Sequence, residues 1–322
     1  MNSVESESQS VQLHDVVVIG GSFAGLSAAT ALARVLKRVV VLDAGKPRNH
    51  AVAHAHNFLG HDGKTPKEIL DAARTQYRAY APYAELVSDT VTAVTAIDVS
   101  KLSGMKMGFR VSTASGKSYA GQRVILACGV QDVLPEIRGL SHYYGGGVAH
   151  CPHCAGWESR GKRLGVIHNT QGMVTVIYSR LVSELTTCKT YFCNGAQLTE
   201  EESKAITAAG YTVENAPISE ILGDSESRAV TGVRLSDGRT VELDGAFVAP
   251  HTSLPDVVTQ LKLELDNGPF GPSVKTPQRQ ETSVPGVYVA GDLCRPHQQI
   301  AHAVSDGLSA GTFAHMSMMM MK

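Results

Sequence analysis

A chain of 322 residues, 43% hydrophobic and 18% charged, is long enough for two domains with real cores, and its net charge is only −1. That balance excludes the basic footprint of a nucleic-acid or anionic-membrane binder, and no apolar run approaches the roughly 20 residues that span a bilayer. Its six cysteines are scattered behind a polar start, MNSVESESQS, with no secretory leader, so a cytoplasmic protein with one reactive pair is expected rather than a disulfide scaffold.

Residues 1–13 read as a disordered tail. Val16-Val17-Val18-Ile19 is a continuous apolar run, the pattern of a strand buried on both faces. It enters Gly20-Gly21-Ser22-Phe23-Ala24-Gly25, then an Ala- and Leu-rich helix, then a second buried strand over 39–42 that ends at Asp43. This is the order of a dinucleotide-binding unit. Its glycines let the backbone and the helix N-terminus reach a pyrophosphate, and its acid can accept hydrogen bonds from a ribose. Ser22 departs from the pattern, standing where the second glycine of G-x-G-x-x-G belongs.

A loop rich in His and Gly, AGKPRNHAVAHAHNFLGHDG, follows where it can lie along a cofactor. Thr65-Pro66-Lys67-Glu68 is a capping box with Pro at the first helical position, and it opens a helix over 65–80. Residues 85–99 and 106–114 alternate like strands, the latter turning at Ser115-Gly116 to pair with 118–122. Residues 123–127 form another buried strand, which ends at Cys128-Gly129-Val130.

Residues 145–158, GGGVAHCPHCAGWE, carry the chemistry. A helical turn starting at Cys151 sets Cys151 and Cys154 together at its N-terminus, whose partial positive charge favours thiolate, as does a cationic imidazole from His153. Such a pair can open and close a disulfide. The competing reading is half of a zinc site completed by His150, His153 or Cys188 and Cys193, but the spacing of those two cysteines suits it poorly, and no metal is expected. Beyond, 163–167 and 190–193 read as strands and 173–185 and 199–209 as helices. A meander with a turn at Asp237-Gly238 and a strand over 246–249 complete this second α/β unit. The last strand and turn are GVYVAGD, a helix over 299–314 follows, and the methionine run at 316–321 reads as a frayed tail.

GGSFAG with Asp43, ILACGV, CPHC and VYVAGD, in this order across nearly the whole chain, resemble the thioredoxin reductase-like flavoproteins of the pyridine nucleotide–disulfide oxidoreductase superfamily. The resemblance implies an α/β fold of two Rossmann-like domains, the second inserted into the first. Residues 14–132 and 250–322 would form a discontinuous FAD-binding domain, and 133–249 a central NAD(P)H-domain-like region carrying the cysteines. It places Gly20, Ser22, Phe23, Ala24 and Gly25 on the FAD pyrophosphate and Asp43 on the adenosine ribose. Asn57 would lie near the flavin, and Gly129 joins the cofactor-binding set. Gly291 and Asp292 would hold the ribityl chain and pyrophosphate. Gln299 and Ile300 would start the helix whose N-terminus faces the flavin, where it stabilises the negative charge of the reduced ring. Cys154 would lie against the flavin and Cys151 would meet the substrate thiol. The family also implies a homodimer in which both subunits border each site.

A thioredoxin reductase draws electrons from NADPH through a second glycine fingerprint in its central domain. Here His168, Asn169 and Thr170 take the glycine positions, and Met173 stands where a small residue lets helix and strand pack closely. The arginines that grip a 2′-phosphate are missing, and Asn194-Gly195-Ala196 stand there instead. Weak or absent NADPH binding is therefore expected. The combination is similar to the FAD-dependent dithiol oxidases of the gliotoxin and holomycin type, which form a disulfide in a small-molecule dithiol with oxygen (O2) as acceptor. Pro152 and Gly156-Trp157-Glu158 match that branch. Ala155 does not, since the branch carries His there and reductases carry Asp. The proton carrier then falls to His153 first and His150 second, with His251 and His302 remoter, because deprotonating a thiol near neutral pH suits histidine. An NADPH-dependent disulfide reductase and a non-catalytic flavin-binding paralogue are the alternatives.

Overall fold

The computed structural model describes residues 12–103, 107–170 and 172–320. Most of the expected tail, residues 1–11, lies outside the described residues, as do Gln171 of the second turn and Met321.

The opening unit is β1 (Leu13–Ile19), α1 (Phe23–Ala33) and β2 (Val39–Asp43), continued by α2 (Pro66–Arg78) and β3 (Ala84–Ser88). Then come β4 (Val91–Ile97), the short α3 (Ser100–Ser103), β5 (Gly108–Thr113) and β6 (Ser118–Leu126). β7 (Gln131–Val133) leads out to α4 (Leu140–Tyr143), β8 (Val148–Ala149) and α5 (Pro152–Ser159). The second unit continues with β9 (Leu164–Ile167), α6 (Met173–Ser183), β10 (Lys189–Phe192), α7 (Glu200–Ala208) and β11 (Thr212–Glu214). The meander is β12 (Ile218–Gly223), β13 (Val230–Leu235) and β14 (Thr240–Glu242), followed by β15 (Gly245–Val248). β16 (His251–Ser253) leads back past α8 (Asp256–Thr259), β17 (Leu265–Gly268) and β18 (Gly271–Val274) to β19 (Val287–Val289) and α9 (Ile300–Met320).

Two sheets organise these elements. The first runs β3-β2-β1-β6-β5-β4, with β19 pairing β6, so the chain leaves this sheet and returns to it. The second, β11-β10-β9-β15-β8, is parallel throughout and is built in between. The outgoing β7 and the returning β16 pair antiparallel, which sets the two crossings side by side. This is the expected α/β class of two Rossmann-like layers.

Strand period explains why the first sheet holds helices on one face. Val16, Val18, Val39, Val41 and Ile125 point to the layer containing α1, α2 and α9, while Val17, Val40, Leu42, Val124 and Leu126 point to the other core. Each fully buried aliphatic side chain of this kind contributes about 1.5–3 kcal/mol. The close crossing of α1 and α9 depends on small residues, since a Cβ at Gly307 would lie 2.1 Å from the Ala24 carbonyl oxygen. The capping box of α2 forms as expected, with Thr65 Oγ1 accepting from the Glu68 N–H and the Glu68 carboxylate accepting from the Thr65 N–H.

Two readings change. Residues 118–122 and 123–127 are one strand, because β6 pairs antiparallel with β5 through its first half and parallel with β1 along its length. The methionine run is not frayed through Met320. α9 continues to that residue, and Met318 is buried against the first core. A helical spacing that returns Met318 to the face of Ala310 and Ala314 holds the helix together.

Candidate active site

Cys151 and Cys154 form a disulfide with Cα atoms 5.1 Å apart. The local sequence sets this up. Pro152 occupies the first position of α5, where a missing N–H costs nothing, and Cys151 is the N-cap, its Sγ accepting from the Cys154 N–H at 3.1 Å. Both sulfurs therefore sit at the positive end of the helix.

Two distant segments converge on this turn and its helix. Gln299, just ahead of α9, donates from Nε2 to Cys154 Sγ at 3.2 Å and to Cys151 Sγ at 3.5 Å. Asn57, in the left-handed region at φ +61°, donates from Nδ2 to the His153 carbonyl at 2.7 Å. His56, beside it, lies 3.6 Å from Glu158 Oε1 on the last turn of α5. The His153 side chain is exposed. His150 is different: burial, then the Arg48 charge, pull its pKa down to about 4, and its ring lies 5.8 Å from that of Tyr144.

Arg48 links the outgoing β7 to the turn after β19. Its guanidinium donates to both carboxylate oxygens of Asp132 on β7, to Asp292 Oδ2 at 3.1 Å and to Gln298. The Tyr144 hydroxyl donates to Asp132 at 3.0 Å. Burial lifts the Asp292 carboxyl above the ordinary range, and Arg48 opposes that lift. Burial alone would lower Arg48, but the hydrogen bonds and charge of Asp132 outweigh it and hold the cation.

The first glycine turn is built for close approach. Gly20 has φ +104°, and a Cβ there would lie 2.4 Å from the Ala127 carbonyl oxygen; one at Gly25 would lie 1.8 Å from the Gly20 oxygen. Ser22 is the N-cap of α1, with no side-chain cap bond and no acid in the first turn, and Phe23 and Ala24 are buried behind it. Asp43 ends β2, its carboxylate accepting from the Gly45 N–H at 3.1 Å and paired with Arg74 at 3.2 Å. Gly129 follows β6 with open space before its Cα, and Gly291 opens the turn that carries Asp292. Ile300 is the first residue of α9 and packs on the first core.

The second turn carries side chains bonded to the chain itself. His168 Nδ1 lies 2.8 Å from the Tyr191 hydroxyl, and Asn169 Nδ2 donates to the Ala249 carbonyl at 3.0 Å. The Gly172 N–H, at the start of α6, donates to Glu202 Oε1 at 2.6 Å. A cavity of about 560 Å³ remains at the ends of β9 and β10, lined by His168, Asn169, Cys193, Asn194 and His251. His302, at the first turn of α9, is half-buried, with its Nδ1 3.0 Å from the His297 carbonyl oxygen. Among the described residues, no group of three or more His, Cys, Asp or Glu is placed to hold a metal ion, and no helix is long and apolar enough to cross a membrane.

The profile of the pyridine nucleotide-disulphide oxidoreductase family matches residues 14–307. The chain belongs to this family. It is 33% identical over 316 residues to thioredoxin reductase sirT of Leptosphaeria maculans, with 93% of each chain covered. Its fold superposes on the oxidoreductase from Agrobacterium tumefaciens with a TM-score of 0.85 and 35% identity, over 96% of this chain and 99% of that one. The corresponding values for HlmI are 0.86 and 29%, over 96% of this chain and 93% of HlmI. FAD is the cofactor of such oxidoreductases, and this chain fits it. The first turn leaves the amides of α1 free of any acid and has no room for Cβ atoms at Gly20 and Gly25, while Asp43 and Asp292 supply acceptors for hydroxyls.

Sequence reasoning on this oxidoreductase missed Arg48, Asp132, Tyr144, His56 and Glu202 as parts of the site. Arg48 meets Asp132 and Asp292 across 84 and 244 residues, which no local spacing signals. Only the His-rich composition of the 44–63 loop hinted at a role for His56.

Proposed function

We propose that the chain is an FAD-dependent dithiol oxidase that closes a disulfide in a small natural-product dithiol through Cys151 and Cys154, with oxygen as the acceptor and a homodimer as the working unit. The observation that carries this reading is the bond from the Gly172 amide to Glu202. The helix end that a reductase offers to a pyridine nucleotide is taken by the chain's own carboxylate, with His168 and Asn169 filling the turn beside it.

A substrate thiolate attacks Cys151 Sγ, the Sγ–Sγ bond breaks, and Cys154 leaves as thiolate. The N-terminus of α5 and the Gln299 amide stabilise that charge. The second substrate thiolate then attacks the substrate sulfur of the mixed disulfide, closes the product ring and releases Cys151. The dithiol has lost two protons and two electrons, and the protein pair holds the electrons. The Gly20–Gly25 turn, Asp43 and Asp292, with Asn57, Gly129, Gly291 and Ile300 beside them, would hold FAD, which would supply a two-electron acceptor for the reduced pair.

The name of sirT points to the competing reading, an NADPH-dependent reductase. Anaerobic mixing separates the two. An oxidase is bleached by a dithiol, is left coloured by NADPH, and regains its colour in air. Fast bleaching by NADPH overturns the proposal.

A further inference from the structure

Ala155 leaves the thiol chemistry without a proton carrier next to Cys154, and the fold brings one in from elsewhere. On α5, Cys151, Cys154, Ala155 and Glu158 share one stripe at spacings of three and four residues. Ala155 is the small member of this stripe and packs on the core of the second sheet. His56 reaches Glu158 from the opposite side, with Nε2 3.6 Å from Oε1, and its Nδ1 lies 3.3 Å from each carboxylate oxygen of Asp62. Asp62 also accepts from the Asn57 N–H at 3.1 Å, and Asn57 is tied to the His153 carbonyl between the two cysteines. The imidazole is therefore fixed in orientation, one quarter exposed, and carried on a segment anchored to the disulfide turn.

We propose that His56, oriented by Asp62 and Glu158, is the proton carrier of thiol–disulfide exchange at Cys151. This rests on the dithiol reading of the site. His56 takes the proton of the substrate S–H as the thiolate attacks Cys151 Sγ. The Sγ–Sγ bond breaks with its electron pair on Cys154, and the proton, held between two carboxylates, leaves to water. The second thiol is deprotonated in the same way before ring closure. The charged groups facing the ring are Asp62 from its own loop and Glu158 from α5. His153 donates no ring contact to this pair and projects into solvent.

The test uses FAD-loaded protein and dithiothreitol as the probe. Reduction of the Cys151–Cys154 bond is followed anaerobically by rapid quenching, thiol alkylation and mass analysis, in parallel with flavin absorbance. His56→Ala is expected to slow sulfur exchange about 100-fold at neutral pH. Its rate then climbs about tenfold per pH unit as free thiolate forms, while the wild type is flatter, and millimolar imidazole restores much of the loss. Glu158→Gln slows exchange less and keeps the wild-type dependence on dithiol concentration. Unchanged FAD content and melting temperature in both variants separate chemistry from folding. A wild-type exchange rate and pH profile in His56→Ala overturns the inference, as does the full loss appearing in His153→Ala instead. Failure of the oxidase reading shows differently, as a wild-type flavin that NADPH bleaches and dithiothreitol does not.

Discussion

Glu202 Oε1 accepts the Gly172 N–H at 2.6 Å, which places a buried carboxylate on the first turn of α6. The same side chain closes the capping box of α7, its other oxygen taking the Thr199 N–H at 2.8 Å. Burial alone would raise this acid, but the Thr199 and Gly172 amides outweigh it and hold the pKa below the ordinary value. One residue thus ties two helices of the central unit.

Replacing Glu202 tests whether that bond is structural or a removable plug. Glu202→Ala removes a capping partner and a charge-assisted bond and should cost about 2–3 kcal/mol in urea unfolding. It should not confer bleaching by NADPH, because His168 and Asn169 still fill the turn. A variant that gained rapid NADPH reduction would show that Glu202 alone blocks the nucleotide.

Arg48 is expected to be the costliest single loss outside the aliphatic cores. Arg48→Met leaves Asp132 and Asp292 buried without their cation, a defect of about 3–5 kcal/mol. The double variant Arg48→Met with Asp132→Asn should recover part of this. Equilibrium unfolding and the fraction of bound FAD measure both effects.

Gln299 should tune the pair through thiolate stabilisation. With its Nε2 donor removed in Gln299→Leu, the reduced pair loses a charge-assisted bond, so the potential should become more negative by about 20–30 mV, since 30 mV corresponds to about 1.4 kcal/mol for two electrons. A glutathione titration reads the shift. His153→Ala in the same titration shows whether the exposed imidazole between the cysteines adds to it.

His150 predicts an acid limb in stability. Its pKa falls from 6.5 to about 4 on folding, so the unfolded chain binds the extra proton between those values. The contribution is complete above pH 6.5 and is lost as pH falls toward 4, by about 3 kcal/mol at most. His150→Phe, which keeps a ring against Tyr144, should flatten that limb of the unfolding free energy.

Cys151 and Cys154 should differ in access. In Cys154→Ser the remaining Cys151 thiol is expected to release thionitrobenzoate from a disulfide reagent about tenfold faster than Cys154 does in Cys151→Ser, because Cys151 precedes the helix as its N-cap while Cys154 lies within it and nearer the Gln299 amide, at 3.2 Å against 3.5 Å. Equal rates would remove the assignment of Cys151 as the sulfur that meets substrate.

Much of this was legible along the chain because the relevant physics is local. Apolar runs such as 16–19 and 39–42 must be buried strands, Thr65 with Glu68 must cap a helix, and Pro152 after Cys151 must start one. Side chains at His168 and Asn169 are incompatible with a glycine turn whatever the fold does around them. Those features determined the two nucleotide-type layers and the redox pair, and they mark the second turn as a departure from the glycine pattern.

Only the tertiary structure decided what surrounds the pair. Gln299 reaches the sulfurs across 145 residues, Arg48 reaches Asp292 across 244, and His56 reaches Glu158 because the loop after β2 folds back over α5. Such contacts depend on where a chain that leaves one sheet and returns to it places its loops, and no spacing rule along the sequence carries that information.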